Sequence, residues 1–94
     1  MSRLDTSMLT FYVAIIARHA GEYWATVPDL PGPNSAAGTR HDALVLVTQF
    51  ANDHVRDLVE RGASVPPARD LDDIEAGPED GSEAGRALIP VDVR

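Results

Sequence analysis

The residues that could do chemistry are mostly acids. Fifteen of the 94 residues are Asp or Glu, and seven of them (Asp70, Asp72, Asp73, Glu75, Glu79, Asp80 and Glu83) share one run that contains no basic side chain. Paired carboxylates can hold two metal ions for hydrolysis, but only when the acids stand rigidly about 4 Å apart around them. A run that ends in GPEDGSEAG is too rich in turn residues to hold that spacing. Asp29, after Val27-Pro28 at the end of a strand pattern, is the one acid a residual nuclease could use. The habit of Asp in turns is instead to accept hydrogen bonds from nearby backbone amides. His19, His41 and His54 have no metal-ligand spacing, and His54 beside Asp53 and Asp57 reads as part of a surface ion pair. There is no cysteine, which excludes disulfides, thiolate sites and cysteine nucleophiles. Ser2, Ser7, Ser35, Ser64 and Ser82 sit in no nucleophile elbow, and the glycines form no phosphate loop. No catalytic, metal or cofactor site is expected, and the chain does not read as an enzyme.

What the acids can do is attract. The formal net charge is −7, and the run from Asp70 to Glu83 accounts for all of it, since the remaining acids and arginines balance. Such an arm repels phosphate backbones and draws in basic surfaces, unless it only keeps a loop solvated. Arg40, Arg56 and Arg61 are dispersed among acids and form no basic stripe, so direct nucleic-acid binding is not expected. No apolar stretch approaches the length of about 18 residues that a membrane span needs. No signal peptide is evident either, so a cytoplasmic protein is the default. A chain of 94 residues suits a single domain over 1–94, with residues 1–9 expected to fray and 77–86 to form a mobile acidic loop.

The elements that would position these residues follow from pattern. Thr10 to Ile16 (TFYVAII) is apolar on both faces, as an interior strand covered twice would be. Arg18 to Glu22 supplies a glycine-containing hairpin into Glu22 to Val27, where Tyr23, Ala25 and Val27 share one face and Trp24 and Thr26 the other. Pro28, Pro31, Gly32 and Pro33 turn the chain, and Asn34 to Ala37 can add a short third strand. Thr39 is an N-cap with Asp42 in the capping-box position, opening a helix from Arg40 to Arg61 that Gly62 ends. Its inner stripe is expected at Leu44, Val47, Ala51, Val55 and Leu58. The run Ala43 to Val47 is apolar nearly all round, so either the corner loop or a second copy should cover part of it. A short helix at Asp70 to Ala76, with Leu71 and Ile74 inward, and a strand at Ala87 to Val93 complete the chain. Pro90 marks that last strand as an edge. The class is α+β: a small antiparallel sheet with one long helix on a face, in the order β-β-β-α-β.

Read together, FYVAIIAR (Phe11 to Arg18), GEYWATVPDLPG (Gly21 to Gly32), GTRHDAL (Gly38 to Leu44), VPPARDLDDI (Val65 to Ile74) and ALIPVDV (Ala87 to Val93) resemble the N-terminal domain of the HicB-like antitoxin family. The aromatic-rich strand followed by PDLPG is the most specific part. The resemblance implies a partial ribonuclease-H-like fold. It also implies a protein that binds and neutralises a small, basic, HicA-type ribonuclease toxin, and that forms homodimers or larger assemblies. Many members carry a C-terminal DNA-binding part; the sequence stops at Arg94, so operator binding by this chain is not expected. Pro33 stands where the family often has cysteine. For a partner surface the acidic residues from Asp70 to Glu83 are the first choice, with Tyr23 and Trp24 as aromatic anchors, although Trp24 could equally pack in the core. The alternative is an orphan oligomeric domain with a structural or regulatory role and no toxin.

Overall fold

A strand that is apolar on both faces needs a cover on each side, and the fold supplies two unequal covers. The structure, a computed structural model, describes residues 9–74 and 83–93. The strands are β1 (Leu9–His19), β2 (Glu22–Thr26), β3 (Asn34–Ala37) and β4 (Glu83–Asp92), in the sheet order β3-β2-β1-β4 with every pairing antiparallel. The long strand β1 is thus interior, as its pattern predicts. Along one of its faces Tyr12 and Ala14 join Ala25, Val27, Leu30, Ile89 and Val91 beneath the helix. On the other, Val13 and Ile15 form a second buried cluster with Ile74.

The hairpin between β1 and β2 closes at His19 opposite Glu22, leaving Ala20 and Gly21 as a two-residue loop with φ of 54° and 81°. Positive φ at both central residues is the backbone that the right-handed twist of a two-residue hairpin demands. The last strand starts earlier than ALIPVDV suggests. Residues 83–86, expected in a mobile loop, pair with β1 at Ala17, Ile16 and Ile15. A register shift at Ile16/Ala17, facing Gly85, absorbs the extra residue, so the length of β1 overrides the weak strand preference of Glu83-Ala84-Gly85. Pro90 lies on an edge strand as expected. Asn52 of the helix donates to the Pro90 carbonyl (3.1 Å) and accepts from the Asp92 amide (2.9 Å), both on the side away from β1. The donor that proline lacks therefore falls on the free edge and costs the ladder nothing.

Helix α1 (Arg40–Glu60) is capped as its sequence predicts: Thr39 Oγ1 accepts from the Asp42 amide at 3.1 Å. At the other end Gly62 has φ of 71°, and the Ala63 amide donates to Leu58 O at 2.9 Å. The buried stripe is Ala43, Val47, Ala51 and Val55, while Leu44 and Leu58 are only half-buried. Ala43 replaces Leu44 because the helix starts close against β3, where Ser35 Oγ donates to the Ala43 carbonyl at 2.7 Å. The ion pair expected of His54 with Asp53 or Asp57 does not form. Asp53 binds Arg56 and Asp57 binds Arg61, while the imidazole lies under the corner, where a Cβ added at Gly32 would meet it at 3.7 Å.

After α1 the chain is strapped down. Tyr12 Oη donates to the Pro66 carbonyl at 2.6 Å. Asp29 accepts from the Arg69 backbone amide at 2.7 Å and from Arg69 Nε at 2.6 Å, with its own side chain only 7% exposed. The expected local amides are not its partners: the Asp29 carboxylate ties the Pro-rich corner to a segment forty positions later. Beyond it, the expected helix is a single 3₁₀ turn, Leu71–Asp73, followed by buried Ile74. Leu71, expected inward, is 40% exposed because a three-residue turn buries only one of the two apolar positions. Arg86 Nη1 donates to Ile74 O at 2.8 Å and completes the anchoring.

Three outcomes follow from these contacts. Ala20→Asn, which accepts positive φ more readily, should raise stability by about 0.5–1 kcal/mol in urea unfolding, and an unchanged or lower midpoint would contradict the turn geometry. Asp29→Ala should cost about 2 kcal/mol because it orphans a backbone amide, whereas Arg69→Ala keeps that amide bonded to the carboxylate and removes only a half-exposed side chain, and should cost less, about 1 kcal/mol. Burial, and to a lesser extent the Asp29 charge, raises the Tyr12 phenol above its ordinary pKa of 10.0. Its contribution to stability is therefore fully present below pH 10 and is lost as pH rises through the folded-state pKa. Tyr12→Phe should flatten that alkaline decline, measured as urea midpoint against pH.

Candidate partner-binding surface

The straps decide where the acidic residues stand. Held by Asp29–Arg69 at one end and Arg86–Ile74 at the other, the turn Asp70–Ile74 lies across the sheet face opposite α1. Asp70, Asp72 and Asp73 are exposed there, with the Asp73 amide donating to Asp70 O at 3.0 Å to close the turn. Glu83 differs from them: it is half-buried and accepts from Arg86 Nε at 2.7 Å and Nη2 at 3.3 Å. Glu75, Glu79 and Asp80 lie outside the described residues.

The two aromatic candidates point to opposite faces. Tyr23 sits on the helix side, packed against the core, with the guanidinium groups of Arg18 and Arg40 at 5.5 and 6.0 Å from its ring centroid. Cations over the ring stabilise such a site by about 0.5–1 kcal/mol and occupy the face an anchor would offer. Trp24, opposite Ala17 in the register, stands on the helix-free face and is 40% exposed, so it is not a core residue. It shares that face with the acidic turn, and Tyr23 does not.

Beside the turn lies a groove of about 370 Å³ lined by Phe11, Arg69, Asp70, Leu71, Asp72 and Leu88. Phe11 is 54% exposed and Leu88 51%. Neither was singled out by residue type, although the alternation in β1 and β4 puts both on the face that lacks the helix. A second groove, of about 360 Å³, runs between α1 and the free edge of β4 past Leu44, Val45, Ala87 and Leu88. Among the described residues, no three His, Asp or Glu side chains converge where a metal could bind. The Asp29 carboxylate is committed to Arg69. The arrangement offers surface for binding: apolar side chains at the centre and carboxylates at the rim.

Comparison with known proteins agrees with the fold. A family model described as HicB_like antitoxin of bacterial toxin–antitoxin system matches residues 11–94. Among curated proteins nothing matches. The N-terminal domain of the Burkholderia pseudomallei antitoxin HicB is 28% identical and superposes with a TM-score of 0.72, over 88% of this chain and 99% of that one. The longer crystal structure of that antitoxin gives the same identity and TM-score, over 85% of this chain and 61% of that one. A chain of a HicA3–HicB3 toxin–antitoxin complex shares the fold at 20% identity and a TM-score of 0.68, over 88% of this chain and 99% of that one. Four antiparallel strands in the order found here, one long helix, and a family match from Phe11 onward lead to one statement of kinship: the chain belongs to the HicB-like antitoxin family of bacterial toxin–antitoxin systems.

Proposed function

We propose that this protein neutralises a small ribonuclease toxin of the HicA type by direct protein–protein contact, without catalysis of its own. The observation that carries the reading is the family match over residues 11–94, supported by similarity to a chain from a toxin–antitoxin complex. The surface chemistry is compatible with it, since exposed carboxylates at Asp70, Asp72 and Asp73 would steer a basic protein and compete with its RNA. On this reading Asp29 is structural, because its carboxylate is buried against Arg69 and belongs to no group of three or more potential metal ligands among the described residues. The same reading places the chain in the cytoplasm, as a homodimer or larger assembly. No helix among the described residues is long and apolar enough to cross a membrane.

Co-expression tests it. The small basic protein encoded beside this one should arrest growth when induced alone, and growth should recover when this chain is induced with it. The two should then co-purify. Continued arrest with no co-purified complex would remove the antitoxin reading and leave a structural or regulatory role. Metal-dependent RNA cleavage by the purified chain, abolished in Asp29→Ala, would contradict the non-catalytic part.

A further inference from the structure

We propose that the helix-free face of the sheet, centred on Phe11, Leu88 and Leu71, is the surface on which the basic toxin docks. This rests on the antitoxin reading above and adds the location. Eight large apolar side chains are exposed among the described residues, and five of them, Leu9, Phe11, Trp24, Leu71 and Leu88, stand on this one face. The other three, Val45, Phe50 and Val59, are scattered along α1. Exposed apolar side chains spread singly need no explanation, whereas Phe11, Leu71 and Leu88 line one groove together, and such a set marks a place of contact.

Charge selects the occupant. The groove beside the turn carries Asp70 and Asp72 in its wall, and Asp73 continues the same turn. The one cation in that wall, Arg69, is turned onto Asp29. A second copy of a chain with net charge −7 would bring the same acidic turn to the contact, and like charges at a desolvated rim oppose association. A partner with an apolar projection flanked by Lys or Arg meets the centre and the rim together. The two halves then have separate kinetic roles: Phe11, Leu88 and Leu71 hold the complex, and the carboxylates speed its formation. The turn is held by contacts on this chain's own body, so the surface is formed before the partner arrives.

The experiment measures binding of the full chain to the purified basic protein encoded beside it, in a catalytically inactive form, by surface plasmon resonance at low and at physiological salt. Phe11→Ser with Leu88→Ser should weaken binding by about tenfold or more, mainly through faster dissociation. Asp70→Asn, Asp72→Asn and Asp73→Asn together should slow association several-fold and reduce its salt dependence. Phe50→Ser with Val59→Ser, an equal loss of apolar surface on α1, should change nothing. All of these side chains are exposed, and urea midpoints for each variant separate lost contact from lost fold. Full binding by the Phe11/Leu88 variant, or weakening only in the Phe50/Val59 variant, overturns the location while the antitoxin reading stands. A Phe11/Leu88 variant that turns a dimer into a monomer with toxin binding intact identifies the face as a seam between copies, and also overturns it. If the unmodified chain binds no toxin, the antitoxin reading falls and the location falls with it.

Discussion

The structure depends on one constraint, the burial of β1 from both sides. Val13 and Ala14 are fully buried, yet they point in opposite directions. Helix α1 can lie on only one face of a four-stranded sheet, and it takes the face of Tyr12 and Ala14. The opposite face must be covered by something that comes later in the chain. Ile74 does this, and the contacts upstream of it, from the Tyr12 phenol to Pro66 and from Asp29 to Arg69, bring the chain to where Ile74 can reach Val13 and Ile15. Burying such aliphatic side chains is worth about 1.5–3 kcal/mol each, against about 1 kcal/mol net for a hydrogen bond. Apolar burial therefore drives the arrangement, and the straps choose which arrangement forms.

Among the described residues the second cover is small, and its smallness has a functional reading. A three-residue turn with one buried side chain shields the middle of the face and leaves Phe11, Leu88 and Trp24 in contact with water. A chain selected only for its own stability would extend that cover. A binding module is expected to keep apolar surface open and to border it with charge that prevents indiscriminate association. In this fold one turn does both: its inner residue, Ile74, completes the core, and its outer residues, Asp70, Asp72 and Asp73, supply the border.

What could be read in the sequence was what local chemistry decides. Thr39 and Gly62 bound the helix because capping involves residues within one turn of each other, and Pro90 marked an edge because a missing donor excludes the sheet centre. The alternation in TFYVAII put β1 in the interior. The remainder depended on distant parts of the chain. Asp29 looked like a turn residue because its partner, Arg69, is forty positions away and leaves no local mark. Glu83 to Arg86 looked like loop because strand pairing there is imposed by the length of β1. Alternation separates the faces of Tyr23 and Trp24 but does not decide which of them the helix covers, so the exposure of Trp24 is set by the fold and not by local pattern. In the acidic run, residue type showed the charge, and the straps determined that Asp70, Asp72 and Asp73 face outward while Glu83 is held by Arg86.

The central claim is that this fold is a scaffold presenting one sheet face to a basic toxin. Carbene footprinting of the assembled complex against the free chain tests it most directly, because the label reports the solvent exposure of individual side chains. The account predicts that labelling of Phe11, Leu71 and Leu88 falls on complex formation while labelling of Phe50 and Val59 on α1 is unchanged. Protection of Phe50 and Val59, with Phe11 and Leu88 labelled as in the free chain, would contradict it.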